Sequence, residues 1–157
     1  MQWQEVCEHP SLQNLPFKSE LYEWGQILMS PVKVYHSAFR GKITRLLPEN
    51  GIVLPECAIT TTKGTKVADI AWCSEQRFKL IEHEAECSIA PELCIEVISS
   101  SNTKMEMEEK RQLYISAGAI EFWVSNEEGE VKFFDANGQL KASNLVPSFP
   151  SKVRITA

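Results

Sequence analysis

The chain contains no apolar run near the roughly 20 residues that a membrane-spanning helix needs, so an integral membrane protein is not expected. Its first residues, Met1-Gln2-Trp3-Gln4-Glu5, lack the basic-then-apolar order of a secretory leader. Its five cysteines (Cys7, Cys57, Cys73, Cys87 and Cys94) include no CxxC pair, which argues against a structural zinc site or a disulfide framework. His83 and Cys87 stand four apart and make half a metal site at best. Buried or idle thiols in a reducing cytoplasm are the expectation. Glycine and proline are sparse, 7 and 8 of 157 residues, which excludes collagen-like and low-complexity chains. Basic residues are also short: 16 Lys and Arg against 21 Asp and Glu leave a net charge of −5. A generally basic coat is thereby excluded, but a local basic patch is not.

What remains is an ordinary globular composition, 43% hydrophobic and 24% charged. The length suits one domain, residues 1–157, with an N-terminal arm over about 1–15 that ends at Leu15-Pro16. Glu20 to Met29 reads as a hairpin turning around Glu23-Trp24-Gly25. Phe39, Ile43, Leu46 and Leu47 recur at helical spacing, predicting a helix over about Val34–Leu47 closed by Pro48. Ile52–Thr62 and Lys66–Cys73 form a second predicted hairpin around Lys63-Gly64. Phe78–Ser88 fits a loop or a short helix. Leu93–Ile98 has the richness of a buried central strand. Thr103-Lys104-Met105-Glu106 fits a capping box that starts a helix, and Gly118 is its natural stop. Strands follow at Glu121–Ser125 and Val131–Phe134, with a turn signal at Asn137-Gly138 and a last short strand near Val153. This order describes a mixed α/β domain with a central sheet flanked by helices.

One carboxylate inside the apolar run Leu93-Cys94-Ile95-Glu96-Val97-Ile98 is anomalous, because an acid there is costly without a partner or a cation. Asp69 sits similarly in Val67-Ala68-Asp69-Ile70-Ala71, where strand alternation points it away from Ala68 and Ile70. Two such acids on adjacent strands would suit Mg²⁺, which takes only one or two protein carboxylates. Lys110, in line with Tyr114 and Ala117 on the following helix, could bring a positive charge to the same place. Each residue taken singly also has a plain reading: Asp69 as an edge-strand polar residue, Lys110 as a solvated partner of Glu106. Only their combination is specific.

The run Pro91 to Ser99, then Glu109-Lys110 and Tyr114, then Ala117 to Trp123, resembles the Uma-two family. That family is a group of assigned endonucleases in the PD-(D/E)xK restriction-endonuclease-like superfamily. Gly25 to Pro31 followed by His36, and Val67 to Trp72, resemble its upstream motifs. The resemblance spans roughly Leu15 to Val153. It implies a restriction-endonuclease-like fold and a Mg²⁺-dependent DNA endonuclease, with Mn²⁺ as an alternative cation. Asp69 and Glu96 would hold the metal together with the Val97 carbonyl. The superfamily lysine two residues after the glutamate is here Ile98, so Lys110 is the matching replacement. Glu20 matches the upstream glutamate, with Glu23 as a rival. His36 matches a recurrent family histidine, for which a core or capping role fits equally. Ser99-Ser100-Ser101 replaces the family's Ser-Pro-Ser, which loosens the loop without removing a ligand.

For an acidic chain, the best candidate for phosphate contact is Lys33, Arg40, Lys42 and Arg45, with His36 among them and no acid between Glu23 and Glu49. A homodimer is implied by the resemblance, since restriction-like nucleases commonly pair to cut both strands. Two rivals stand beside the enzyme. One is a catalytically silent nucleic-acid-binding protein of the same fold. The other is an interaction module using the aromatic strands of Phe122, Trp123, Phe133 and Phe134.

Overall fold

A near-continuous apolar strand such as Leu93–Ile98 needs a sheet covered on both faces, and the computed structural model, describing residues 1–15 and 17–156, has one. Pro16, read as the end of the arm, lies outside the described residues. The arm forms α1 (Trp3–Glu8) and a 3₁₀ turn (Pro10–Leu12). There follow β1 (Phe17–Tyr22), β2 (Ile27–Pro31), α2 (Val34–Leu46), β3 (Gly51–Thr61), β4 (Gly64–Ser74) and α3 (Glu75–Ile81). The second half is β5 (Leu93–Val97), α4 (Lys104–Ser116), β6 (Glu121–Ser125), β7 (Val131–Asp135) and β8 (Gly138–Leu140). The strands make one eight-stranded sheet in the order β2-β1-β4-β5-β6-β7-β8, with β3 also pairing β4. Among these strands β5 and β6 are the parallel pair, because α4 carries the chain back between them.

Two apolar clusters lie on opposite faces. Phe39 and Ile43 of α2 pack with Ile70, Ile95, Trp123 and Phe149 on one face. Tyr114 of α4 packs with Ala71, Cys94 and Phe122 on the other. The capping box at α4 forms as read: the Thr103 side chain accepts the Glu106 N–H, and the Glu106 side chain accepts the Thr103 N–H. The ambiguous stretch after β4 is helical from Glu75, since the Ser74 side chain accepts the Arg77 N–H and caps α3.

Three expectations are corrected. The buried stripe of α2 continues to Leu47 instead of Leu46, which is 39% exposed, because four-residue steps from Phe39 and Ile43 lead to 47. No strand forms at Val153: a single bridge joins Glu130 and Lys152, and Val153 is held by side-chain burial and by donating its N–H to Gly129. Alternation in β4 also slips at Asp69, for a reason given below.

Gly64 makes the junction between β4 and β1 attainable. Its φ is +94°, and a Cβ there would lie 2.1 Å from the Leu21 carbonyl oxygen. Gly64→Ala is therefore expected to cost about 1–3 kcal/mol, read as a lower urea midpoint. An unchanged midpoint would show that the junction accommodates a side chain.

Candidate active site

β4 has β3 along one edge, whereas its other edge is shared end to end by two strands. β1 pairs there with Gly64 and Thr65, and β5 with Ile70, Ala71 and Trp72. Between them, Lys66 to Asp69 meet no strand on that edge, and a cleft of about 500 Å³ opens at the gap. Carboxylates replace the missing ladder bonds. Glu20 accepts the Val67 N–H at 2.8 Å, and Asp69 accepts the Val97 N–H at 2.8 Å. On the β3 side, Pro55 has no N–H and Glu56 is left-handed at φ +49°, so paired partners skip from Ile70 to Ala68. Ala68 and Ala71 consequently share the α4 face, and only Ile70 lies opposite. The freed Asp69 carbonyl accepts from Arg40, which also pairs with Glu56 at 3.3 Å.

Three acids and two lysines meet at the cleft floor. Glu96 on β5 is 3% exposed, Asp69 on β4 7% and Glu20 on β1 3%. The Lys18 ammonium, from β1, bridges Asp69 Oδ1 at 3.0 Å and Glu96 Oε2 at 3.1 Å. The Lys110 ammonium, from α4, bridges Glu20 Oε2 at 2.9 Å and Glu96 Oε1 at 3.2 Å. Tyr114 O–H donates to Glu96 Oε1 at 3.0 Å. Glu96 is thus the hub, in contact with both cations and with the phenol.

Burial sets opposite outcomes for the two central acids. Burial, and then the nearby Glu96 charge, push Asp69 up to about 6 despite Lys18. Burial also pushes against ionised Glu96, but the ammonium groups of Lys110 and Lys18 outweigh it and hold Glu96 at about 2. Burial works against charged Lys18 too, yet Glu96, Asp69 and Glu20 together keep it firmly protonated. Glu96 is therefore the permanent anion, and Asp69 is the group poised between forms.

The residues singled out in the sequence are not all gathered here. Asp69, Glu96, Glu20 and Lys110 converge, with the Val97 main chain against Asp69, whereas Glu23 is an exposed turn residue. Ile98, at the usual lysine position, lines the cleft. Lys33, His36 and Arg40 also line it; Lys42 and Arg45 are not among its lining residues. Arg40 is engaged with Asp69 and Glu56, and burial lowers the His36 pKa, leaving Lys33 the freest cation of that group. His83 and Cys87 do not meet: His83 is exposed beside Glu82, and the Cys87 thiol faces Cys57. Lys18 is the residue that the sequence reading missed. The available signal was its spacing, since Lys18 and Glu20 are two apart in a strand and share a face.

The donor set bears on the implied metal. Among the described residues, no three His, Cys, Asp or Glu side chains form a cluster able to hold a metal ion. At the cleft floor, ammonium groups stand against the carboxylate oxygens in positions that attract a cation. Asp69 and Glu96 offer two carboxylates of hard oxygen donors and fit Mg²⁺ or Mn²⁺ keeping several waters.

A solved structure similar to this chain is that of "a putative nuclease belonging to DUF820" from Anabaena variabilis, 19% identical, with a TM-score of 0.65. The match covers 98% of this chain and 83% of that one, and shows a shared fold. No curated protein matches. A family model described as "Putative restriction endonuclease" matches residues 3–153, the whole cleft-bearing sheet included, and the chain accordingly belongs to the Uma2 family.

Proposed function

We propose that this chain is a Mg²⁺- or Mn²⁺-dependent endonuclease that hydrolyses DNA phosphodiester bonds. The observation that carries the reading is the convergence of Asp69, Glu96 and Glu20 from three strands, with Lys110 among them, at the floor of one open cleft. Asp69 and Glu96, with the Val97 carbonyl, would hold the cation. Bound there, Mg²⁺ supplies charge that polarises a phosphate and acidifies water. Glu96 positions Lys110, which stabilises negative charge building on the phosphate oxygens or orients the attacking water. Glu20 fixes Lys110 from the other side, and Tyr114 fixes Glu96. Lys33 contacts the DNA backbone at the cleft rim, with His36 and Arg40 beside it and Lys42 and Arg45 on the outer side of α2.

Charge explains the need for an added cation. The cleft lining carries five basic side chains (Lys18, Lys33, Arg40, Lys66, Lys110) and five acids (Glu20, Asp69, Glu96, Glu106, Glu109). Such a neutral surface holds a polyanion weakly without further positive charge. Purified protein is expected to nick or cut DNA with Mg²⁺ or Mn²⁺ and to stop on addition of chelator. Cleavage that persists in Asp69→Ala would overturn the ligand assignment. Pairing of two copies would let both strands be cut, and sedimentation velocity reads that state directly. A cytoplasmic setting is favoured by five free thiols, and no helix among the described residues is long and apolar enough to cross a membrane.

The ion pairs themselves favour a second reading, a catalytically silent nucleic-acid-binding or interaction module. Lys18 and Lys110 together contact all three acids, as in a purely structural network. Manganese binding separates the two: a Mn²⁺ site lost in Asp69→Ala supports the enzyme, and absence of Mn²⁺ binding supports the silent module.

A further inference from the structure

Three lysines lie at or beside the cleft floor, and they are partnered unequally. Lys18 and Lys110 each touch two carboxylates. Lys66 is 5% exposed and lines the same cleft, yet among the described residues its ammonium makes no ion pair and donates no hydrogen bond. Its ammonium rests over the Tyr22 ring, 3.8 Å from the centroid. A ring face offsets only part of the cost of burying a charge and accepts at most one of three N–H groups. The surrounding acids do not supply the rest. Glu20 Oε2 accepts from Lys110 and the Val67 N–H, Glu109 pairs with Lys63, and neither these acids nor Glu23 come within 4.0 Å of the Lys66 ammonium. Lys66 lies on the segment of β4 left unpaired between β1 and β5, so its side of the strand meets the cleft instead of a neighbouring strand.

We infer that Lys66, braced by Tyr22, is the seat of a backbone phosphate next to the one placed against Glu96 and Lys110. This assignment rests on the nuclease reading and deepens it: Lys66 is a positioning residue that fixes the register of the nucleic acid in the cleft. A phosphodiester is the fitting ligand because it brings acceptor oxygens and one negative charge to an ammonium that no carboxylate engages. Burial disfavours the charged form of Lys66 most, and the nearby Glu20 charge supports it ahead of the opposing Lys110, so a bound phosphate offsets the burial.

The test is equilibrium binding of a labelled duplex DNA 16-mer in chelator, followed by anisotropy over a range of salt. Lys66→Met is expected to weaken binding at least about tenfold and to reduce the salt slope by about one. Lys66→Arg should retain both, and the exposed Lys141→Met should match wild type. Binding and slope unchanged in Lys66→Met would overturn the seat while leaving the nuclease reading intact. In the wild-type protein, inorganic phosphate should shift the Tyr22 ring signals in NMR, a readout that stands even where the Met variant fails to fold. Phosphate shifts with neither DNA binding in chelator nor DNA cleavage with Mg²⁺ or Mn²⁺ would keep the anion seat and remove the nuclease reading. Absence of both would remove the seat.

Discussion

Glu96→Gln is expected to lower DNA cleavage by about 10²–10³-fold while leaving the sheet in place. Glutamine keeps the volume of a side chain that is 3% exposed, and its amide oxygen can still accept from Tyr114. What it loses is the ionised carboxylate against which Lys18, Lys110 and any bound cation are all placed. A second consequence follows from the causes of the Asp69 shift. After burial, the Glu96 charge is the main influence raising Asp69 to about 6, so removing it should bring the Asp69 titration below that value in metal-free protein. Carboxyl ¹³C NMR reads this independently of activity. Cleavage within tenfold of wild type would exclude Glu96 from the reaction.

Lys18→Met should produce the largest loss of stability, about 3–5 kcal/mol near pH 8, because it leaves Asp69 and Glu96 buried side by side with a partner removed. The loss should be pH-dependent. Without the ammonium, the Asp69 pKa rises further above about 6, whereas its ordinary value is 3.8. An acid raised in the folded state contributes stability below its unfolded pKa, and that contribution disappears as pH rises through the folded value. The deficit against wild type should therefore be widest at pH 8 and narrow toward pH 5, where Asp69 takes up a proton in both proteins. Urea unfolding at the two pH values measures it. Equal deficits would mean that the methionine perturbs packing alone and that Lys18 is no counter-ion for Asp69.

Much of the fold was legible because local rules and tertiary structure agree. The capping box at Thr103, the left-handed turn at Gly25 (φ +79°) and the four-residue steps of α2 and α4 all depend on neighbours within a few residues. The errors fall where that agreement ends. A β-rich tail at Val153 satisfies strand preference, yet it finds only one bridge, since Pro147 and Pro150 donate no N–H to a ladder. The slip at Asp69 needs Pro55 and Glu56 on the strand opposite, which no reading of Val67–Ala71 alone contains.

The sequence by itself determined that the chain carries misplaced acids. Glu96 in an apolar strand and Asp69 among alanines require a partner, whatever the fold, because burying an uncompensated charge is too costly to leave unexplained. It also determined the order of strands and helices and the motifs of the family. Which partners those acids receive was decided only by tertiary structure. Lys18 reaches Asp69 across 51 residues and Glu96 across 78, and it does so because β1 and β5 share one edge of β4 and leave a gap between them. Spacing along a chain records which side chains share a face of one element. It does not record which edges of a sheet are left open, and it is at such an edge that this cleft, its two bridging lysines and the unpaired Lys66 are brought together.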